Sequence, residues 1–363
     1  MNTAPQAADA GFADDLMLRV LAPKVPRGLF ARDRLLSDAD LLRDRTIVLV
    51  QAPGGFGKTS LLAQWRLEYL ARGTVVAWFL AKDRDDPPNL LHGLVLSIRA
   101  SSGRQSFGHT LLEPAAPSGL EAITMWLAEL AQAAFEAVLM IDEADRLPED
   151  SRKLLAYVMR NAPPNLRVVV AARTDWKLGV EDLIDFGQCL VVGPTMLRFQ
   201  LDETMQMIRA RAGSEVDNDA IARVHDLTEG WPLGLQLALS VMEASKDFHG
   251  TFAAIAAQSG EVSERLVSLL LSKLDHADLE FLSLTAHLDH LQPALCRAVT
   301  QVEDTPERLA RLARETPVVV TSELGEWVRV HALAREVLRS RFAALPASQR
   351  ASLHLRAAEW LVC

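Results

Sequence analysis

Eight consecutive residues, Ala52 to Thr59, carry glycines, a lysine and a threonine in the spacing of a phosphate-binding loop, with alanine in the first glycine position. Glycines let backbone N–H groups converge on phosphate oxygens, because no Cβ atom obstructs the approach. Lys58 would reach the β- and γ-phosphates of a nucleotide, and the Thr59 hydroxyl would complete the coordination of Mg²⁺. The sequence therefore predicts a nucleoside-triphosphate site formed by Pro53, Gly54, Gly55, Phe56, Gly57, Lys58, Thr59 and Ser60, and the loop alone fits a kinase, a motor or a GTPase equally well.

A second group of candidate residues lies where the apolar segment 138–141 ends in two carboxylates, Asp142 and Glu143. Open α/β sheets bind ligands at the carboxyl ends of their parallel strands, so Asp142 would lie near the phosphate loop. It would hold Mg²⁺ through a water, together with Thr59, and Glu143 would orient or deprotonate the attacking water. With Lys58, these carboxylates are the candidate catalytic residues for hydrolysis of the bound nucleoside triphosphate.

Arg173 is a further candidate catalytic residue, because it follows the apolar segment 167–172. At a strand tip its guanidinium could touch the γ-phosphate and distinguish ATP from ADP. It could equally be an exposed arginine that caps the strand end, and the residues alone favour neither role. We expect Asp145 and Arg146, which continue the turn after the two carboxylates, to have surface roles.

The elements around these residues alternate between strand-like and helix-like segments, which is typical of a parallel sheet with crossover helices. Near-continuous apolar character in the strands indicates a sheet that is buried on both faces. The predicted strands are 45–51, 75–80, 137–142, 167–172 and 187–192, and the predicted helices are 59–71, 88–100, 119–134 and 150–161. Residues 101–118 are predicted to form a loop. The fold class expected for this half is an α/β P-loop nucleotide-binding domain.

The pattern changes after about residue 200 to almost continuous helix. A cap region is predicted at 201–204, and helices are predicted at 217–228, 231–243, 261–286 and 353–362. Segments 317–321 and 327–330 predict a hairpin, which together with a following helix at 331–342 is typical of a winged-helix module. The expected domains are a flexible N-terminus (1–20), a nucleotide-binding domain (21–200), an all-α helical domain (201–275), a winged-helix domain (276–345) and the start of a C-terminal helical region (346–363).

Composition and charge exclude several classes of protein. The chain has 363 residues, is 49% hydrophobic and carries a formal net charge of −9, which opposes polyanion binding by the surface as a whole. No apolar run reaches the roughly 20 residues that a membrane-spanning helix needs, and residues 1–15 lack the basic start of a signal peptide. Three widely spaced cysteines indicate reduced thiols. We therefore expect a cytoplasmic protein without a membrane partner.

Several segments resemble the MalT-type ATPases. These belong to the STAND class of signal-transducing P-loop ATPases, and many are large LuxR-type transcription regulators. The similarity is specific where the phosphate-loop segment 54–65 is combined with the Gly230-Trp231-Pro232 motif of segment 227–238. Further similar segments follow the family's order, at 25–36, 171–175 and 330–336. The resemblance covers roughly residues 20–345.

The resemblance implies roles for four residues outside the phosphate loop. Arg32 lies in the lead-in that packs against the adenine, and Pro232 matches the helical-domain proline that contacts the adenine. Arg173 matches the sensor arginine of the family. His331 matches the winged-helix histidine that in relatives reaches the β-phosphate of ADP and locks a closed resting state.

The chain departs from the family pattern at two sites and at its end. Many members have an aspartate in the place of Glu143 and a histidine in the place of Asp145. Members usually continue into a helical-repeat sensor and a C-terminal helix-turn-helix, whereas this chain stops at Cys363 within a predicted helix. We therefore expect a truncated or core-only protein.

The function implied by the resemblance is an ATP- and ADP-binding switch that controls transcription and hydrolyses ATP slowly. ADP would lock the resting state, buried between the three predicted domains, and an inducer or regulatory protein together with ATP would favour self-association. DNA would be bound only through a C-terminal domain beyond this chain.

Two alternatives remain open. One is a continuously cycling, AAA+-like ATPase machine, which would need an arginine finger across a ring interface. The other is direct DNA binding by the winged helix, where glutamates are interleaved with arginines. These residues are Arg329, Arg335, Arg339 and Arg341, with Glu323, Glu326 and Glu336.

Overall fold

The computed structural model of the chain describes residues 16–23, 29–37, 39, 42, 45–113, 116–174, 176–212, 216–244, 267–268, 271, 274–288, 291–316, 318–321 and 328–362. Contacts between residues divide the chain into two compact units. The first comprises residues 1–52 and 57–193, and the second comprises residues 53–56 and 194–363. The finer domain boundaries that the sequence predicts stay predictions.

A five-stranded sheet forms the centre of the first unit, and all of its neighbouring strands are parallel. The strand order is β2-β3-β4-β1-β5. The strands are β1 (Ile47–Gln51), β2 (Val75–Leu80), β3 (Ala137–Asp142), β4 (Leu166–Ala172) and β5 (Cys189–Val192). The register pairs Gln51 with Ala172 and Leu80 with Asp142, so the carboxyl ends of β1 to β4 meet at one edge of the sheet.

Five helices connect these strands. They are α1 (Lys58–Ala71), α2 (Pro87–Ser102), α3 (Gly119–Ala131), α4 (Glu149–Arg160) and α5 (Glu181–Asp185), with 3-10 turns at Thr110–Leu112 and Ala144–Arg146. A further 3-10 turn, Asp33–Leu35, precedes β1. The sheet is buried on both faces, because successive residues of β1 point to opposite sides and residues 47–50 are all at most 4% exposed. This burial explains why the strands are almost entirely aliphatic.

The second unit consists mainly of helices. They are α6 (Pro194–Leu197), α7 (Leu201–Ala212), α8 (Asn218–Thr228), α9 (Pro232–Ala244), α10 (His276–Leu284), α11 (Pro293–Thr300), α12 (Thr305–Glu315), α13 (Ala332–Ala343) and α14 (Ala347–Val362). Between α12 and α13 the short strands β6 (Val319–Thr321) and β7 (Val328–Val330) pair antiparallel, and Leu291 forms a bridge to Val328. This arrangement is a winged helix.

The predicted α/β fold is confirmed, and all five predicted strands occur with ends within two residues of the expected ones. The predicted hairpin also forms, although the residues of its turn lie outside the described part. Residues 25–27 of the lead-in, Asp175 and Cys363 lie outside it as well. None of the helices in the described part combines the length and apolar character needed to span a bilayer.

The predicted continuous helix at 261–286 is wrong in its described portion. Leu274 and Asp275 are not helical. The Asp275 side chain accepts a hydrogen bond from the Asp278 N–H at 2.7 Å and caps a new helix that ends at Leu284. An aspartate cap outcompetes helix continuation here, because it satisfies an otherwise unpaired N–H group.

Two loop predictions also need correction. The predicted loop 101–118 begins with two residues that still belong to α2, and it contains the turn at Thr110–Leu112. The predicted cap region 201–204 is the first turn of α7. The cap itself involves Gln200, whose N–H donates to Glu203 Oε2 at 2.8 Å.

Candidate nucleotide-binding site

The phosphate loop follows β1 directly and includes the first two residues of α1, Lys58 and Thr59. Gly55 and Gly57 have φ angles of +82° and +77°, a left-handed conformation that favours glycine. Gly57 caps the helix that begins with Lys58, so the loop delivers the unpaired N–H groups of that helix to the site.

Alanine is tolerated in the first loop position because it extends the sheet. The Ala52 N–H donates to the Ala172 carbonyl at 3.3 Å, and Ala52 is fully buried. It does not belong to the residues with positive φ, so the position does not require glycine. The side chain of Phe56 is also buried, and the guanidinium of Arg198 lies 5.4 Å from its ring centroid. Phe56 can therefore offer a nucleotide only its backbone.

Lys58 points back toward the start of the loop. Its Nζ donates to the Ala52 carbonyl at 2.7 Å. Burial lowers the pKa of the Lys58 ammonium below its ordinary value, and the nearby carboxylates of Asp145 and Asp142 oppose that change. The ammonium is thus held inside the loop, where a phosphate would bind.

Thr59 and Asp142 lie together, as the sequence predicts for a magnesium site. The Thr59 hydroxyl donates to Asp142 Oδ2 at 2.7 Å, and the Glu143 N–H donates to Asp142 Oδ1 at 3.0 Å. Asp142 is 3% exposed, and this burial raises the pKa of its carboxyl group, opposed by the two hydrogen bonds. A hydroxyl and a buried carboxylate are hard oxygen donors, so these residues fit Mg²⁺.

Glu143 adopts a backbone conformation that is uncommon for a residue with a Cβ atom. Its φ angle is +54°, which directs the chain sharply away from β3. The carboxylate is about half exposed, and its Oε2 accepts a hydrogen bond from Arg146 at 2.8 Å. Arg146 also lies 3.4 Å from Asp83 Oδ2. The expected surface position of Arg146 is observed, and its guanidinium holds the candidate base.

Asp145 does not fit the expected surface role, because it links the ends of two strands. Its Oδ1 accepts the Arg173 N–H at 3.0 Å, and its Oδ2 lies 3.6 Å from Arg173 Nε. The side chain of Asp145 is 19% exposed and that of Arg173 is 54% exposed. Arg173 therefore lies at the same sheet edge as the two carboxylates, with its guanidinium near Asp145.

Arg32 lies in a segment that is fastened to α1. It is 6% exposed, and its carbonyl accepts the Leu35 N–H at 2.9 Å. The Trp65 indole N–H donates to the Leu35 carbonyl at 2.6 Å, and Glu68 accepts the Ser37 N–H at 2.7 Å. Because α1 starts at the phosphate loop, these contacts tie the lead-in to the same helix.

Pro232 starts α9, which places it beside the first half of the phosphate loop. The next residue, Leu233, donates its N–H to the Gly55 carbonyl at 3.1 Å. The preceding turn depends on Gly230, whose φ angle is +65° and whose carbonyl accepts the Phe199 N–H at 2.8 Å. The Trp231 N–H donates to the Thr228 carbonyl at 2.8 Å.

His331 is fully buried at the start of α13. Its N–H donates to the Val318 carbonyl at 2.7 Å, and its Nε2 lies 3.3 Å from the Thr228 carbonyl oxygen. The ring also meets that of Trp231 edge-on. These contacts join the winged helix to the turn before α9, and the contact of His331 with a β-phosphate stays a prediction.

Comparison with known proteins agrees with this architecture. Residues 267–350 match the family model of the MalT winged helix domain. A Walker-type ATPase of Pyrococcus abyssi is 19% identical, with a TM-score of 0.57 over 89% of this chain and 99% of that one. At this identity the likeness is one of fold.

Two further solved structures give weaker likenesses. A STAND protein with a tetratricopeptide repeat sensor from Pyrococcus horikoshii is 17% identical, with a TM-score of 0.46 over 95% of this chain and 46% of that one. The Holliday-junction branch-migration motor RuvB of Thermotoga maritima is 16% identical, with a TM-score of 0.39 over 91% of this chain and 94% of that one. This chain thus spans less than half of the Pyrococcus horikoshii protein. The chain has the fold of P-loop NTPases and carries a winged helix of the MalT type.

Proposed function

We propose that the chain binds ATP and ADP, hydrolyses ATP slowly and acts as a signal-transduction switch. The observation that carries the proposal is the contact between Thr59 and Asp142, with the Lys58 ammonium held inside the same loop. Mg²⁺, when bound there, would offset the negative charge of the β- and γ-phosphates. The P-loop NTPase fold supports the same conclusion.

Slow hydrolysis is supported by the state of the candidate base. The Glu143 carboxylate accepts a hydrogen bond from Arg146. This contact must break before Glu143 can orient or deprotonate a water, whereas the Thr59 hydroxyl can keep its hydrogen bond to Asp142 while its oxygen lone pair binds Mg²⁺. A regulatory ATPase needs such a slow step, because its ATP-bound state must persist long enough to signal.

The switch itself is proposed from the turn before α9. The Leu233 N–H holds the Gly55 carbonyl of the phosphate loop, and the Thr228 carbonyl lies beside His331. We propose that Arg32 and Pro232 contact the adenine, that Arg173 senses the γ-phosphate, and that His331 favours the ADP-bound state. A cytoplasmic inducer or regulatory protein would then promote ATP binding and self-association, with transcription controlled through a DNA-binding part beyond this chain.

Direct DNA binding by the winged helix is less well supported. On α12, Arg311 Nη2 lies 2.6 Å from Asp278 Oδ1, and Arg308 lies 3.5 Å from the same carboxylate. Arg308 also pairs with Asp304 at 3.1 Å. These cations are neutralised within the unit, so they offer little net charge to phosphates of a duplex.

Isothermal titration calorimetry with ATP and with ADP tests the proposal. Lys58→Ala should weaken binding by about 10- to 100-fold, since hydrogen bonds to charged groups contribute about 1.5–3 kcal/mol. Lys153→Ala is the matched control, because Lys153 is an exposed lysine of α4 that pairs with Glu149 and Asp150. Wild-type affinity in both variants, or no binding by the wild type, would contradict the proposal.

A further inference from the structure

The indole of Trp231 lies against the phosphate loop and also against the winged-helix histidine. Trp231 is 1% exposed. A Cβ atom on Gly55 would lie 3.1 Å from both Nε1 and Cζ2 of the indole, so the ring packs directly on this glycine. The same ring meets His331 edge-on, with 6.3 Å between ring centroids and 68° between ring planes. One side chain therefore contacts both candidate nucleotide-sensing elements.

Backbone hydrogen bonds of the same turn also connect Gly55 with His331. The Leu233 N–H holds the Gly55 carbonyl at 3.1 Å. The Thr228 carbonyl accepts the Trp231 N–H at 2.8 Å and lies 3.3 Å from His331 Nε2. A displacement of Gly55 would therefore move the Trp231 indole, and this movement would change the contacts of His331.

The indole N–H of Trp231 is buried and has no hydrogen-bond partner among the residues that the structure describes. A buried donor without an acceptor is disfavoured, so a conformation that supplies an acceptor is favoured over this one. The indole nitrogen lies beside Gly55, so a change in the Gly55 backbone would alter the surroundings of this buried donor.

We propose that Trp231 is a positioning residue that couples the conformation of the phosphate loop to His331. The inference rests on the proposed nucleotide-binding function and adds the route by which occupancy of the loop reaches the winged helix. A switch requires a contact that differs between its two states. The packing of the indole on Gly55 would supply this difference, because a nucleotide in the loop would contact the Gly55 backbone and shift it against the ring.

The first test compares Trp231→Phe with Trp126→Phe. Trp126 is also fully buried, and its indole N–H has no partner within the described residues, but it lies on α3, so it controls for the loss of a buried indole. Calorimetry should show that Trp231→Phe changes the ratio of ADP to ATP affinity about fivefold or more, whereas Trp126→Phe leaves it unchanged. No nucleotide binding by the wild type overturns the proposed function and this inference together. If the wild type binds nucleotide but Trp231→Phe leaves the ratio of ADP to ATP affinity unchanged, this inference alone is overturned.

The second test needs no nucleotide, and its main comparison is between two glycine variants. Gly55→Ala adds a methyl group against the indole, whereas Gly73→Ala adds one at a similar φ angle, +79° against +82°, in open space. In nucleotide-free protein the imidazole NMR resonances of His331, assigned with His331→Asn, should shift in Gly55→Ala but not in Gly73→Ala. Trp231→Phe should suppress the shift. His331 resonances that stay in place in Gly55→Ala would overturn the coupling, even if the Trp231 variant fails to fold.

Discussion

Replacing Gly230 by alanine tests the turn that brings α9 to the phosphate loop. The φ angle of Gly230 is +65°, and an added Cβ atom would lie far inside 3.0 Å of the Phe199 carbonyl oxygen. That atom belongs to the backbone, so it cannot move aside as a flexible side chain would. The Phe199 N–H also donates to the Gly230 carbonyl at 2.8 Å, and relief of the clash would break this bond.

The expected loss of stability can be summed from these contacts. A left-handed backbone costs alanine about 1–2 kcal/mol, overpacking costs about 1–3 kcal/mol, and the lost hydrogen bond costs about 1 kcal/mol. Gly230→Ala should therefore lower the free energy of unfolding by about 3–6 kcal/mol. Gly179 has a φ angle of +73°, and an added Cβ atom there would have no neighbour within 4 Å. Gly179→Ala should therefore lose only the backbone contribution, about 1–2 kcal/mol.

Urea unfolding followed by far-ultraviolet circular dichroism measures both variants. Gly179→Ala should unfold at a somewhat lower urea concentration than the wild type, and Gly230→Ala should lose the structure of its second unit at a much lower concentration than either. ADP affinity should fall with it, because the start of α9 would leave the Gly55 carbonyl. Equal losses of stability in the two variants would refute the close approach of Gly230 to Phe199.

Two further predictions concern the carboxylates. Asp142→Asn should abolish hydrolysis yet stabilise the nucleotide-free protein at neutral pH. Burial raises the pKa of Asp142 in the folded state, so the native protein binds more protons than the unfolded chain. The contribution of Asp142 to stability therefore falls as the pH rises from the ordinary carboxyl pKa through the raised pKa of the folded state. Melting temperatures measured across this pH range test the prediction, and they should depend less on pH in Asp142→Asn than in the wild type. The same pH dependence in both proteins would contradict it. Arg146→Ala should release Glu143 and raise the rate of phosphate release by at most about fivefold, since an exposed ion pair contributes less than about 1 kcal/mol. Lys153→Ala is the control. A lower rate in Arg146→Ala, or an equal rise in Lys153→Ala, would contradict the prediction.

Local chemistry made the central sheet and the phosphate loop predictable from the sequence. Strands buried on both faces must be apolar along their length, so β2 and β3 stand out with correct bounds. The loop needs glycine where φ is positive, and Gly55 and Gly57 meet that need. The Thr59–Asp142 contact follows from the rule that parallel strands end at one sheet edge.

Contacts between segments distant in sequence could not be predicted. Nothing in the local pattern indicates that Asp145 accepts the Arg173 N–H, because the pair forms only when β3 and β4 are neighbours. The position of Trp231 beside Gly55 likewise depends on tertiary packing. The helix break at Asp275 did carry a local signal, an aspartate followed three residues later by Asp278 at the start of an apolar run.

The most direct test of the central claim is the size of the protein in the presence of each nucleotide. Sedimentation velocity of the purified chain with Mg²⁺ and ADP, and separately with Mg²⁺ and a non-hydrolysable ATP analogue, reports nucleotide-dependent assembly, while mass spectrometry identifies nucleotide retained from purification. We predict that the protein retains ADP, and that it sediments as a smaller species with ADP and as a larger one with the analogue. Protein that retains no nucleotide, binds neither and keeps one size in both solutions would contradict it.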